Sequence, residues 1–287
     1  MSYCALMSTR FKAACIQNSA TPDVMADIAT CRRLIARAAE AGARLIALPE
    51  YCIGLDTREG LLYPLAFPER DHPAVVSLCT AARDAAAWLL VGSIGVKAED
   101  GRTFNRSLMI DPSGSIVARY DKLHLFDVSL GDGKEYRESA TIAPGGKAVL
   151  SPCLGGVIGL SICYDLRFPS LYRAYAQAGA QMLAIPAAFT RITGEAHWHV
   201  LTRARAIENL SYVIAPCQYG TLAGGSECYG HSLIIDPWGR VLADGGEEEN
   251  VILAEIDLDL VAQSRRRIPS LTHDRPFALR EDRQAAE

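Results

Sequence analysis

A thiol, a carboxylate and an ammonium each stand where an apolar run gives way to polar chain. Cys163 follows GVIGLSI within GLSICYDLRFP (159–169), Glu50 closes ARLIALPE (43–50), and Lys122 lies in ARYDKLHLFD (118–127). Taken one at a time, each has a plain structural reading. Free cysteine is among the most buried residue types and commonly fills core. Glutamate and lysine at strand ends are ordinarily solvated. As a set, the three types make coherent chemistry: a carboxylate can take the thiol proton, the sulfur can attack a carbonyl carbon, and an ammonium can hold the developing oxyanion. Their wide separation in sequence does not show that they meet.

The segment around Cys163 reads as a strand, a turn, and a helix beginning near Pro169. A side chain at such a bend is presented at the C-terminal edge of a sheet, in the manner of a nucleophile elbow. A helix N-terminus nearby favours thiolate over thiol. Asp165 could instead cap that helix, a purely structural task. Histidine is the usual base for a thiol, and the chain has His72, His124, His197, His199, His231 and His273. His197 and His199 are two apart on a predicted helix and so face different ways. Nothing in the spacing marks out a Cys–His dyad. No group of Cys, His and Asp has metal-ligand spacing, so metal-free chemistry is expected. APGGKAV (143–149) lacks the rest of a phosphate-binding GxxxxGK[ST] loop, and GxGxxG is absent; no cofactor is expected.

The elements that must position these residues follow from periodicity. FKAACIQ (11–17) reads as a strand, and Thr21 or Asp23 can cap a helix over MADIATCRRLIARAAEAG that stops at Gly42. ARLIALPE is a buried strand, HPAVVSLCTAARDAAA a second amphipathic helix, and WLLVGSI another strand. FNRSLMIDPSGSIVARYDKLHLFD reads as two strands about Asp111-Pro112-Ser113-Gly114, and YGHSLIIDPWGRVLAD repeats that design about Asp236-Pro237-Trp238-Gly239. Between them lie the strand GVIGLSICYD, the helix PSLYRAYAQAG, the strand AQMLAIPAAF, a long helix EAHWHVLTRARAIENLS and the strand YVIAPCQ. VILAEIDLD is a last strand, GGEEEN a solvated hairpin tip, and the Arg-rich chain from Val261 irregular. The two DP-x-G turns hint at an internal pseudo-repeat. Helices packed outside two apposed sheets are the expected α/β architecture.

With 287 residues, 49% hydrophobic and 22% charged, the chain can bury a sizeable core without disulfides. A net charge of −4 gives no reason to expect nucleic acid or an anionic membrane. No apolar run reaches membrane-spanning length, and the N-terminus lacks a secretory pattern. The nine cysteines are scattered without a CxxC pair, which fits a reducing, cytoplasmic setting. No linker or composition break divides the chain, so one domain over 1–287 is expected, with a core of about 10–260 and a tail of about 261–287.

LPEY (48–51), YDKLHLFD (120–127) and GLSICYDLRFP resemble, in order, the three catalytic motifs of the nitrilase superfamily of carbon–nitrogen hydrolases. The likeness extends through AFTRITGEAHWHVLTRARAIENLSYV, YGHSLIIDPWG and RRRIPSLTHDRP, over about residues 10–277. It implies a four-layer αββα sandwich, with a Glu-Lys-Cys triad at Glu50, Lys122 and Cys163, and Glu138 as the second glutamate that orients lysine and substrate. Cys163-Tyr164-Asp165 stands where true nitrilases tend to have Cys-Trp-Glu. That is similar to the amidase-type branch containing omega-amidase and deaminated glutathione amidase. The resemblance implies hydrolysis of a small carboxylate-bearing amide by water through a thioester, with an N–H of Tyr164 at the oxyanion and Arg167 and Thr193 at the substrate carboxylate. It also implies a homodimer packed through helices and crossed by the C-terminal tail. Nitrile hydrolysis and N-carbamoyl amino acid hydrolysis are the rival activities. A catalytically silent oligomeric scaffold is the rival of a different class, and it has no need of all three triad residues.

Overall fold

The computed structural model describes residues 9–58, 61–98, 100–131 and 135–280. The first half runs β1 (Arg10–Gln17), α1 (Val24–Glu40), β2 (Ala43–Ala47), α2 (Pro73–Asp84), β3 (Trp88–Lys97), β4 (Thr103–Ile110) and β5 (Ile116–Asp121). The second runs β6 (Val149–Cys153), β7 (Gly156–Leu160), α3 (Pro169–Gln177), β8 (Met182–Ala184), α4 (His199–Asn209), β9 (Tyr212–Ala215), β10 (Leu233–Ile235) and β11 (Val241–Asp244). The chain closes with β12 (Asn250–Asp257) and α5 (Leu258–Arg267).

Two sheets result. The first has the order β12-β1-β2-β3-β4-β5, with Phe67–Pro68 pairing further along β3; the second has the order β6-β7-β8-β9-β10-β11. Period-2 alternation sorts the strand residues into layers. In β1, Ala13 and Cys15 join the core between the sheets, with Leu160, Met182 and Ile214. Ala14 and Ile16 turn the other way, onto Ile28, Leu34 and Ile35 of α1 and Leu78 of α2. Tyr172 and Tyr175 of α3 and Ala206 of α4 cover the outer face of the second sheet. The expected αββα sandwich is what forms.

Helix ends follow the expected chemistry where a polar cap exists. The Asp23 carboxylate accepts from Met25 N and Ala26 N, and Gly42 takes φ +87° just past α1. Four local expectations change. The tail is not irregular from Val261: Asp257 caps α5 by accepting from Asp259 N, and Arg265–Arg267 occupy its last turn, where the helix dipole favours cations. GGEEEN is not a hairpin tip but the crossing from β11 in one sheet to β12 in the other. There Glu249 meets Arg33 and Glu247 meets Arg191. The long helix is preceded by a turn at Arg191–Thr193 and one π turn over Gly194–Trp198. Tyr229 packs so closely that a Cβ on Gly194 would lie 2.3 Å from its ring. Finally, β7 stops at Leu160 instead of running on through Cys163, and a 3₁₀ turn over Cys163–Arg167 leads to α3, which starts at Pro169 as expected.

Candidate active site

Glu50 sits just beyond the C-terminal end of β2. The chain bends there sharply: Tyr51 has φ +48°, a costly region for a residue with a Cβ. Three groups hold the bend. Ser93 Oγ accepts from Tyr51 N at 2.9 Å, and Gln218 Nε2 donates to the Glu50 carbonyl at 2.8 Å and the Tyr51 carbonyl at 3.0 Å. Gly92 leaves room for it, since a Cβ at that position would lie 2.0 Å from the Leu48 carbonyl oxygen. The buried carboxylate is then fully engaged. Its Oε1 accepts from Lys122 Nζ and Asn105 Nδ2, both at 2.9 Å, and Oε2 accepts from Ala188 N at 2.8 Å.

Lys122 directly follows β5, and its N–H donates to the Asn105 carbonyl at 3.0 Å. It is 2% exposed. Its ammonium reaches Glu50 and also Glu138, at 3.1 Å to Oε1 and 2.8 Å to Oε2. Burial alone would depress its pKa, but Glu138 and then Glu50 overcome that and hold it well above the ordinary lysine value. Phe126 N, Tyr51 Oη and Asn105 Nδ2 also donate to Glu138, at 2.7, 3.3 and 3.3 Å. One buried ammonium therefore serves two carboxylates.

Cys163 opens the 3₁₀ turn with φ +47°. The turn is fastened by Asp165, fully buried, whose carboxylate accepts from Ile162 N at 2.8 Å, Tyr120 Oη at 2.7 Å and His124 N at 3.1 Å. His124 Nδ1 lies 2.7 Å from the same carboxylate. Asp165 thus ties the cysteine turn to the segment that carries Lys122, rather than capping α3. The Cys163 N–H donates to the Pro186 carbonyl at 2.8 Å. The expected dipole effect on the thiol does not prevail. Burial, and then the Glu50 charge, push it well above the ordinary cysteine value, against the opposing pull of Lys122. The resting sulfur carries its proton beside a carboxylate.

These side chains share a cavity of about 510 Å³, within the range of small-molecule sites. Glu50, Lys122, Glu138 and Cys163 all line it, as do Tyr164 and Thr193. Tyr164 is fixed edge-on to Phe126 and Phe168, and Thr193 Oγ1 lies 2.7 Å from Thr190 Oγ1. Arg167 is not part of the lining. Its guanidinium sits 5.9 and 5.8 Å from the rings of Tyr164 and Phe189, which are, and 3.3 Å from His197 Nδ1. It makes no ion pair to Asp165 and none to another carboxylate among the described residues. Cys52, next to the Glu50 bend, also stays out of the cavity: its thiol points to the Ser93 carbonyl.

Two residues of the site escaped the sequence reading. Asn105 is fully buried and donates to both Glu50 and Glu138. Gln218 is fully buried and braces the Glu50 bend from the other sheet. The available signal was a polar amide at a position where burial was expected, inside FNRSLMI and at the end of YVIAPCQ.

Residues 12–266 match the family model described as carbon-nitrogen hydrolase. A protein of Synechocystis sp. named deaminated glutathione amidase is 42% identical over 269 residues, covering 92% of this chain and 97% of the relative. The crystal structure of the C. elegans NitFhit protein superposes with a TM-score of 0.85 at 33% identity, over 94% of this chain and 66% of that one. Saccharomyces cerevisiae Nit3, described as a member of branch 10 of the nitrilase superfamily, gives a TM-score of 0.81 at 30% identity, over 93% and 97%.

Proposed function

The chain belongs to the carbon–nitrogen hydrolase family and is an amide-cleaving enzyme; on that premise we propose that it hydrolyses a small carboxylate-bearing amide through a thioester on Cys163. Deaminated glutathione or an α-keto acid ω-amide is the substrate class. The name carried by the Synechocystis relative supports the first of these. The observation that carries the mechanism is the buried Glu50–Lys122 pair, joined by the partly buried Glu138, lining one cavity with Cys163.

Glu50 accepts the Sγ proton as sulfur attacks the amide carbon. The Lys122 ammonium and the Tyr164 N–H hold the oxyanion; the Cys163 N–H is already bonded to Pro186. As the tetrahedral intermediate collapses, the C–N bond breaks and Glu50 returns its proton to the departing nitrogen. A water then enters. Glu50 takes a proton from it, oxygen attacks the thioester carbon, the C–S bond breaks, and the proton returns to sulfur. The arrangement suits this exchange, because a protonated thiol and an ionised carboxylate differ from their products by one proton transfer. Glu138 keeps Lys122 charged and aimed. Arg167, without a carboxylate of its own, and Thr193 bind the substrate carboxylate.

Mass spectrometry of the wild-type chain, acid-quenched during turnover of candidate amides, tests this reading. An acyl adduct on Cys163 is expected, absent from Cys163→Ala and lost in Glu50→Gln, which lacks the base for acylation. An unmodified Cys163 across a broad amide panel would sink the thioester route and favour a silent scaffold. Faster turnover of nitriles or N-carbamoyl amino acids would move the chain to a rival branch.

The assembly we propose is a homodimer through α4. Val200 and Ile207 are exposed on one stripe of α4, two turns apart, and Trp238 is exposed in the turn whose Gly239 lies against Ile207. An apolar stripe of this kind matches a second copy of itself. Sedimentation of Val200→Glu/Ile207→Glu should show monomers; an unchanged dimer would reject this face. The tail runs back along its own α3, where Arg173 donates to the Ser270 carbonyl at 2.6 Å and pairs with Asp274. No helix among the described residues is long and apolar enough to cross a membrane. All eight described cysteines are free, which supports a reducing, cytoplasmic setting.

A further inference from the structure

The second sheet brings together three ligand-type side chains that do not line the amide cavity. His199 opens α4, His231 precedes β10, and Asp244 ends β11. His199 Nε2 lies 3.0 Å from Asp244 Oδ2, and His231 Nδ1 lies 2.8 Å from Asp244 Oδ1. The three ligating atoms all fall within 4.8 Å of one another. Their spacing in sequence follows no metal motif, so only the fold reveals the group. We propose that His199, His231 and Asp244 form a binding site for a divalent transition metal of the zinc type.

Geometry supports the assignment. Ligand atoms about 2.0–2.1 Å from a tetrahedral zinc lie roughly 3.3 Å from each other. The two imidazole–carboxylate distances therefore need to open by only about half an ångström, while the two imidazole nitrogens, within 4.8 Å of each other, close toward the same spacing. Two imidazoles and one carboxylate suit zinc, nickel or cobalt better than calcium or magnesium, which prefer oxygen. The groups are also held in place before any ion arrives. His231 has φ +51°, its N–H donates to the Gly246 carbonyl at 2.6 Å, and its carbonyl accepts from the Trp198 indole at 2.7 Å. Tyr229 stacks on the His231 ring at 4.5 Å. Gly246 N donates to Asp244 Oδ1 at 2.9 Å.

A second carboxylate gives an independent pointer. Glu247 Oε1 lies 3.9 Å from His231 Nε2, the nitrogen that would not bind metal, while Arg191 engages Glu247 Oε2 at 3.2 Å. A metal-bound imidazole characteristically gives its other N–H to such a carboxylate. On binding, each neutral imidazole keeps its one proton but carries it on the nitrogen away from the ion: His231 on Nε2, toward Glu247, and His199 on Nδ1. Three protein ligands leave one position for water. The ion would clamp α4 to the β11 end and the 230–232 loop. Its link to the amide site is indirect, through Glu247 and the cavity-lining Arg191.

The test uses full-length chain stripped with chelator and titrated with zinc chloride by calorimetry. It is run in a Cys163→Ala background, so that the reactive thiol cannot supply the site. One zinc per chain is expected, with a higher melting temperature and, for cobalt, visible bands free of sulfur charge transfer. His199→Ala should weaken binding by more than about 100-fold, and Glu247→Gln by about tenfold. Each of these two in the Cys163-intact chain should leave amide hydrolysis within about twofold. His231→Ala tests the same ligand set from a strained position, and His199→Ala from a helix end where folding is less at risk. No saturable binding, or binding indifferent to His199→Ala, would overturn the proposal and leave a hydrogen-bonded polar cluster only.

Discussion

Laid side by side, the sheet that starts at β1 and the sheet that starts at β6 repeat one plan. Each has an antiparallel edge strand, three parallel strands, and an antiparallel hairpin. Each hairpin turns on Asp-Pro-x-Gly, with the aspartate accepting from the N–H groups two and four residues on. The strand ends carry different chemistry. The first half contributes charge: Glu50 after β2 and Lys122 after β5. The second contributes the thiol after β7 and two neutral donors, the Ala188 N–H and the Gln218 amide. Base and nucleophile therefore meet only when the two sheets are packed, and neither half holds a complete site. A repeated scaffold can diverge at its strand ends while its core keeps the ends in register.

The largest expected effect comes from the second half's thiol. Cys163→Ala should lower kcat by about 10⁴–10⁶ with little change in melting temperature, as read by steady-state kinetics and thermal scans. Wild-type turnover would show that the second half does not supply the nucleophile. Next comes the first half's cation. Lys122→Met should lower kcat by about 10²–10³ and far more than it raises KM. It should also cost about 3–5 kcal/mol in chemical denaturation, because the buried Glu50 and the partly buried Glu138 are left without their partner. Equal losses in Lys122→Met and Cys163→Ala stability would erase the contrast between a structural charge and a functional thiol.

Gln218→Leu probes the brace that one half lends the other. It removes both donors to the Glu50 bend and the acceptor for Ala20 N. About 2–3 kcal/mol of stability should go, together with kcat more than KM. An unaltered kcat would mean that the first half holds Glu50 by itself.

Acid separates the halves as well. The α2 N-cap is His72, whose Nδ1 accepts from Ala74 N and whose burial lowers its pKa to about 4. The α3 N-cap is Phe168, without a side-chain cap. A histidine with its folded pKa depressed contributes stability above its unfolded value near 6.5. That stability is lost as pH falls from about 6.5 toward 4, because the unfolded state takes up the proton first. His72→Asn keeps a capping oxygen and should flatten this acid slope by roughly 2–3 kcal/mol. A parallel slope in wild type and variant would reject the assignment. The smallest effect compares the two hairpins. Both Gly114 and Gly239 have positive φ, so alanine strains each by about 1–2 kcal/mol. A Cβ on Gly114 would also lie 2.6 Å from the Cys79 backbone oxygen, whereas on Gly239 it meets the movable end of Ile207. Gly114→Ala should therefore melt lower than Gly239→Ala; the reverse order would show that the Cys79 backbone contact does not set the difference.

Much of this was legible in sequence because local signals and tertiary roles agreed. Apolar runs in β1, β2 and β7 mark buried strands, Asp23 and Gly42 mark the ends of α1, and DP-x-G marks both hairpins. Glu50, Lys122 and Cys163 could be picked out at strand ends, though their convergence could not. Asn105 and Gln218 were hidden because an amide in a strand-like run has no chemistry of its own until its partners are known. The Glu247–Glu249 stretch misled because a charged turn looks the same whether it joins neighbouring strands or crosses between sheets. The chain from Val261 looked irregular because α5 exposes its arginine-rich face and owes its start to one cap. His199, His231 and Asp244 fit no spacing rule, since three separate elements bring them together.

The antiparallel pairing of β12 with β1, which aligns Arg10 with Asp257 and Gln17 with Asn250, has a consequence for synthesis. The strand that shields one side of β1 leaves the ribosome more than 230 residues after it. Until then the first sheet has an open edge, able to recruit a strand from a neighbouring nascent chain. Slowing translation upstream of residue 250 should lengthen that exposure, and aggregation during expression should rise with it.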